Sequence, residues 1–266
     1  MPLNIVVCIK QVPAPEHFSK ITLDAEKNTI IRGGIPSVIN PLDRHALEEG
    51  LRIRERLSGR VTALSMGPPQ AREVLEEALA MGVDDAVLLC DRALAGADTL
   101  ATAYSLARAI KKLGKFDIIL CGNQTIDGAT GQVGPQLAEL LDIPHVTYAN
   151  RIEFVDGSFL VVRRVIEHGY LDVNLQLPAL ICVLREINQF RLPTAIGIIE
   201  AASKEIKTWN CGDIESDTEY VGLGGSPTRV VGVFKHKLER RREILEGSPQ
   251  EVAQKAVHRL RELGGI

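Results

Sequence analysis

The sequence predicts an α/β fold: a parallel sheet with helices on both faces, followed by an added β-hairpin and an extended C-terminal arm. Three observations carry that reading. Short, β-branched apolar runs alternate with amphipathic segments of helical period as far as Asn150. The amphipathic segments begin at capping residues and stop at glycines, as real helices do. After Asn150 the pattern switches to period two, and beyond Arg185 it fades. Strand–helix–strand alternation implies a parallel sheet. Its right-handed crossovers set the strand C-termini along one edge, and ligands bind outside that edge where the strand order reverses.

Strands are predicted at Asn4–Ile9, Val61–Ser65, Ala86–Cys90, Asp117–Cys121 and Val146–Tyr148. The first helix spans Pro41–Leu57, with Leu42, Ala46, Leu47, Leu51 and Ile53 on or near one face. The second runs Gln70–Met81 and stops at Gly82. The third covers Asp98–Leu113, with Asp98 or Thr99 as cap and Gly114 as stop, and the fourth about Gly131–Leu141. Next, "RIEFVDGSFLVVRRVIEHGYLDVNL" alternates around Asp156-Gly157, a hairpin turn signal. Leu177–Leu184 reads as a last buried strand. Residues 185–229 are rich in glycine and proline and lack periodicity. So long a structureless stretch does not belong inside a compact domain, and it is read as an arm lying on something else. Ser248–Leu263 closes the chain as a helix: Ser248 caps, Pro249 occupies the first turn, and Glu251 follows three after the cap. Its apolar face is Val252, Ala256, Val257 and Leu260.

Composition narrows the function. The 266 residues are 45% hydrophobic, enough for one large core or a core with an arm. A net charge of −3 leaves no footprint for nucleic acid, and 4% aromatic content argues against base-stacking platforms. The basic cluster Lys235–Glu243 is interrupted by acids and reads as solvated or partner-facing surface. The five cysteines, Cys8, Cys90, Cys121, Cys182 and Cys211, form no C-x-x-C pair, so a zinc site has no support. Their odd number and the absence of a signal-like start make a reducing, cytoplasmic setting the expectation. No apolar stretch reaches membrane-spanning length, so no stable membrane insertion is expected. The six histidines are scattered and no nucleophile elbow occurs, so no catalytic residue and no metal ligand is assigned. The chain reads as a binder more than a self-contained catalyst.

The functional reading rests on "CGNQTIDGATGQVGPQLAELL", residues 121–141, with Gly122, Gly128, Gly131 and Gly134 between a strand and a helix. Gly128 and Gly131 can take positive φ and bring a ligand to the backbone. Asp127 and Thr130 can hydrogen-bond the loop or cap the helix. Gln132, Val133 and Gly134 offer amides at a helix N-terminus, where an anion gains from the dipole. No Gly-Lys-Ser/Thr ending follows, which argues against triphosphate hydrolysis. Other segments reach the same edge: "VCIKQV" with Lys10, "SMGPPQ", and "VINPLDRHALEEG" with Asn40, Pro41 and Asp43. Together they make a crevice with polar atoms for an adenine, a ribose and a phosphate. The alternative is that the glycines only permit a tight strand–helix turn.

These segments together resemble the β subunit of electron transfer flavoproteins. The match covers nearly the whole chain in order: "VVCIKQVP", "INPLDRHALEEGLRIRE", "SMGPPQAREVLEEALAMGVDDAVLL", "DTLATAYSLARAI", "DIILCGNQTIDGATGQVGPQLAELLDIP", "LPALICVLREIN" with "RLP", and "EILEGSPQEVAQKAV". The resemblance implies a heterodimer with an α subunit that carries FAD, and a dehydrogenase or quinone reductase as redox partner. It implies a Rossmann-like domain over residues 1–184, and a C-terminal arm and helix over 185–266 that wraps the α subunit. By position, the family's nucleotide contacts fall on Cys8, on Asn40, Pro41, Leu42 and Asp43, and on Met66. In the glycine loop they fall on Gly122, Asn123, Gln124, Thr125, Ile126, Asp127, Gly128, Ala129, Thr130, Gly131, Gln132 and Val133.

The loop from Asp127 to Pro135 resembles the bifurcating and anaerobic branch, where Asp-Gly-Asp-Thr and a small residue precede Gln-Val-Gly-Pro; here Ala129 replaces the second aspartate. That branch holds a second FAD in the β subunit where the carrier type holds AMP. FAD is therefore the expected ligand and AMP the alternative, with the flavin at the subunit interface, where NADH can meet it. Lys10 and Arg164 are candidates to bias the flavin's charge. The docking-loop anchor of carrier-type members aligns with Ala195, and their lysine-rich run keeps only Lys204, so docking to acyl-CoA dehydrogenases would need different contacts. Before the last strand, Glu167, Gly169, Val173 and Pro178 to Cys182 fit the family signature, while His168 and Leu171 depart from it. The rival expectation is an adenine-nucleotide-binding regulatory protein of universal-stress type, which would use the same edge.

Overall fold

A computed structural model describes residues 2–20, 22–24, 29–31, 35–154, 158–232 and 242–264. The chain divides into two compact units, residues 1–231 and 232–266. The first unit opens with β1 (Leu3–Cys8), the short strands β2 (Gln11–Pro13), β3 (Thr22–Asp24), β4 (Thr29–Ile31) and β5 (Ser37–Ile39), then α1 (Pro41–Leu57). It continues through β6 (Gly59–Met66), α2 (Arg72–Ala80), β7 (Asp85–Leu89), α3 (Thr99–Leu113), β8 (Ile118–Gly122) and α4 (Val133–Leu141). It ends with β9 (His145–Phe154), β10 (Phe159–Ile166), β11 (Gly169–Gln176), β12 (Ala179–Val183), α5 (Ala195–Ala202) and β13 (Ile206–Trp209).

Nine strands form one sheet in the order β11-β10-β9-β12-β8-β1-β6-β7-β13. Pairing is parallel from β9 through β12, β8, β1, β6 and β7 to β13, and antiparallel among β9, β10 and β11. Central strands read as unbroken apolar runs because both faces are covered. In β1, Ile5 and Val7 join the core under α1 and α2, while Val6 and Cys8 join the core under α3 and α4. The chain moves from β1 outward through β6 to β7, then returns to place β8 on the other side of β1. The switch point therefore lies between the C-terminal ends of β1 and β8, with α1 and α4 starting beside it.

The predicted caps act locally. Asp98 accepts the amides of Leu100 and Ala101 at 3.0 Å each, and Gly114 stops α3 at φ 93°. α4 starts at Val133, not at Gly131, because Gly131 takes φ 63°, outside the helical region. The second helix opens with a short 3-10 turn, Pro69–Ala71, before α2.

Leu177–Leu184 is not the last strand. β13 follows it and pairs with β7 at the far edge. Residues 185–229 also contain α5, which packs on α2. Neither element has a clean periodic signal, since β13 is four residues long and α5 leaves Ile196, Ile198 and Ile199 exposed. β9 is longer than the predicted Val146–Tyr148: its first half pairs with β12 and its second half with β10. The turn at Asp156-Gly157 and residues 235–241 of the basic cluster lie outside the described residues.

The second unit carries α6 (Pro249–Glu262). Ser248 and Glu251 form a full capping box, and Arg259 pairs with Glu243 and Glu262. All five cysteines are free. Among the described residues no helix is long and apolar enough to cross a membrane, and no group of three His, Cys, Asp or Glu side chains could hold a metal.

Candidate functional site

The switch point gathers four segments: the end of β1, the start of α1, the end of β8 and the loop that leads into α4. Gly122 is where they touch. A side chain there would collide with Asp43 Oδ1 and with Leu42 Cβ, so only glycine lets α1 begin against β8. Gly134 serves α4 in the same way. A Cβ on it would strike Cys182 Sγ, so this glycine seats the helix on β8 and β12.

Two buried side chains organise the loop. Asp43 Oδ2 accepts the Lys10 amide at 2.8 Å, while Oδ1 accepts the Gly122 amide at 3.1 Å and Asn40 Nδ2 at 3.0 Å. Asn40 Nδ2 also donates to the Gln124 carbonyl at 3.0 Å, and its Oδ1 accepts the Ile126 amide at 3.1 Å. Burial raises Asp43 to about 7, against the lowering pull of its Asn40, Lys10 and Gly122 donors and of the Lys10 charge. Lys10 Nζ spans to both carboxylate oxygens of Asp127 at 2.9 Å, so the two sides of the crevice are bridged across its mouth. Asp127 therefore faces Lys10, and the N-cap of α4, Gln132, does not cap the helix with its side chain.

The predicted residues thus come together but sort by exposure. Cys8, Asn40, Asp43 and Asn123 are buried. Burial first, then the Asp43 charge, pushes the Cys8 thiol up to about 12, so it stays protonated. Pro41, Leu42, Met66, Gly122, Thr125, Ile126, Gly131 and Val133 are half-buried, with Met66 and Val133 against the α3–α4 core. Gln124, Gly128, Ala129, Thr130 and Gln132 form the exposed rim. Ala129 takes φ 50° and Gly131 φ 63°, so the rim turns through two left-handed positions. With no capping bond from the Gln132 side chain, and Pro135 lacking an amide, the rim presents backbone N–H groups, other than that of Ala129, where a phosphate gains most.

Two contributors escaped the sequence reading. Thr99 Oγ1 donates to Gln132 Oε1 at 3.0 Å, which joins the first turn of α3 to that of α4. Tyr148 takes φ 56°, its amide donates to Asn123 Oδ1 at 2.9 Å, and the Arg164 guanidinium stands 5.6 Å from its ring centroid. The register shift of β9 against β12, between Ile181 and Val183, falls at Tyr148, and a second against β10, between Arg163 and Arg164, follows it. Thr99 was visible as a helix start, but no sequence signal locates a bulge.

Residues 27–213 match the electron transfer flavoprotein domain family. The chain is 49% identical over 259 residues to the electron transfer flavoprotein subunit beta of Thermoanaerobacterium thermosaccharolyticum, covering 97% of this chain and 98% of that one. It is 43% identical over 262 residues to the caffeyl-CoA reductase-Etf complex subunit CarD of Acetobacterium woodii, covering 98% of each. It is 41% identical over 268 residues to protein FixA of Azotobacter vinelandii, covering 97% and 94%. Matches of this length leave the universal-stress alternative without support.

Proposed function

The chain belongs to the electron transfer flavoprotein family as a β subunit, and from that premise we propose that its switch-point crevice holds an adenine nucleotide, FAD in preference to AMP. Its role is electron transfer in a flavoprotein, paired with an α subunit. One observation carries the nucleotide reading: an uncapped helix N-terminus and an exposed glycine rim at the switch point. Phosphate groups fit such a place because free amides and the helix dipole both favour an anion.

When bound, the flavin supplies the redox chemistry. The chain's residues hold and shield it. The amides of Gly128, Thr130, Gly131, Gln132 and Val133 would receive the phosphates, that of Ala129 being spent on the Thr125 carbonyl, and Met66 and Val133 would line the apolar floor. Lys10, fixed by Asp127, and Arg164, stacked on Tyr148, set the local charge. Lys10→Ala or Arg164→Ala that leaves the flavin potential unchanged removes that residue from the role.

FAD is favoured by Gln132-Val133-Gly134-Pro135 in the loop and supported by the similarity to CarD, which by its name belongs to a reductase-Etf complex. On this reading the protein acts in electron bifurcation from NADH, in the cytoplasm; of the expected arm, residues 185–266, the part up to Val231 belongs to the first unit and carries α5 and β13, and the segment after it wraps the α subunit. Cofactor stoichiometry of the purified αβ complex tests the choice. Two FAD per heterodimer is the expected result, and one FAD with one AMP overturns it.

A further inference from the structure

Asn40 and Asp43 open α1, yet they do not behave as its caps. The Asn40 side chain accepts no backbone amide of its own helix. It is 0% exposed and Asp43 4%. The polar atoms of both side chains are turned onto the crevice segments: the Lys10 and Gly122 amides for Asp43, the Gln124 carbonyl and Ile126 amide for Asn40, and one bond between the pair. The Asn40 amide adds a bond to the Lys10 carbonyl at 2.8 Å. Both N–H groups and the oxygen of the Asn40 side chain are thereby engaged, and both oxygens of Asp43 meet donors. Every polar atom of both side chains already has a partner in the protein.

We propose that Asn40 and Asp43 are positioning residues for the bound nucleotide: they lock the ends of β1 and β8 and the first half of the loop into the shape that receives the phosphates, without their side chains contacting it. The proposal rests on the nucleotide reading above and deepens it. It also implies that the clamp works only while Asp43 is a carboxylate. Each of its three partners is a donor, so a proton on Asp43 has no acceptor there and must displace one of them. Burial places that titration near 7.

The other ionisable groups around Asp43 leave this titration to it. Lys10, at the end of β1, is paired with Asp127 of the loop. The Cys8 thiol on β1 and the Cys121 thiol on β8 are both pushed upward by their surroundings and stay protonated. On α1 itself, Arg44 is paired with Glu77 of α2.

The test uses the αβ complex with its β site emptied, titrated calorimetrically with FAD and, separately, with AMP. Wild type should bind about tenfold more tightly near pH 8 than near pH 6, in line with one charge-assisted hydrogen bond that only the carboxylate makes. Asp43→Asn presents an N–H to donors, so it should bind at least about tenfold more weakly at the higher pH and lose the pH dependence. Asp117→Asn is the control. Asp117 accepts the Asn4 amide at 2.8 Å across the same two strands but at their opposite ends, so it should cost stability and leave affinity and pH profile unchanged. Wild-type affinity and profile in Asp43→Asn, or an equal loss in Asp117→Asn, overturns the positioning role. Failure of the wild-type complex to bind either nucleotide sinks the nucleotide reading itself, and the inference with it.

Discussion

Ala129 is the one rim residue whose chemistry disagrees with its backbone. At φ 50° an alanine pays a steric cost between its Cβ and the following carbonyl, which asparagine and aspartate tolerate better. Ala129→Asn should therefore stabilise the protein by about 0.5–1 kcal/mol, and Ala129→Val should destabilise it by about 1 kcal/mol or more. Thermal melts of the two variants check this. The resemblance to the bifurcating branch singled out Ala129 as standing in place of an aspartate; the sequence did not show that the position is left-handed, because φ at an alanine leaves no mark in composition. Asp43 was likewise legible as a site residue but not as a saturated one. Its folded-state pKa of about 7 lies above the ordinary 3.8, so between those values the folded protein holds a proton that the unfolded chain releases. The stabilising contribution is full below about pH 4 and lost as pH rises through about 7, a slope of up to about 1.4 kcal/mol per pH unit. Denaturant titrations from pH 4 to 8 should show this slope in wild type and not in Asp43→Asn. Fold stability and the proposed clamp thus want opposite charge states at Asp43.

α1 carries the crevice on its first turn and is held in place from its outer side. Residues 188–191 lie along it. Arg191 bonds Glu48 through its backbone amide at 3.0 Å and its Nε at 2.8 Å, and bonds Glu55 at 2.6 Å. Asn188 bonds the His45 carbonyl and Glu49 at 3.0 Å each, and Phe190 packs edge-on to His45. Burial would raise Glu48, but the hydrogen bonds from Arg191 and Arg52 hold its carboxyl below the ordinary range. Arg191→Ala strips a carboxylate that is only 4% exposed of its main partner, so it should cost about 1–3 kcal/mol, discounted for the half-exposed arginine. Arg191→Lys should recover little, because an ammonium cannot serve both carboxylates as the planar guanidinium does. Arg52→Ala removes a partly exposed arginine from the same buried Glu48 but leaves Arg191 bonded to it, so it should cost under about 1 kcal/mol. Melting temperatures of the three variants order the effects. The contrast marks what a sequence conveys: α1 was predicted with its observed limits because its period and its Pro41 start are local. The clamp on it joins residues 143 apart with no repeating pattern, and β13 was missed for the same reason.

The strand order is a property of the chain as a folded object, and only its general consequence was readable. Alternation predicted a ligand edge, but which two strands flank the crevice depends on where β8 returns, and pairing beside β1 is a long-range choice. The C-terminal unit raises the converse case, since its helix was predicted with its caps and its purpose is a matter of partners. Within that unit α6 keeps Val257 at 42% and Leu260 at 47% exposed, and Ile244 and Leu263 are more open still. Apolar area of this kind returns about 25 cal/mol per Å² when covered, and a helix that leaves its apolar stripe open is shaped for another surface. Residues 1–231 contain both hydrophobic cores and all nine strands of the sheet. A chain ending at Val231 should therefore keep a cooperative thermal transition and its circular dichroism per residue of ordered structure. It should at the same time lose co-elution with the α subunit, or bind it at least about tenfold more weakly, if the tail is the wrapping arm. Val257→Asp combined with Leu260→Asp in the full-length chain should reproduce the loss without shortening anything. Undiminished co-elution of both variants would place the heterodimer interface elsewhere on the first unit.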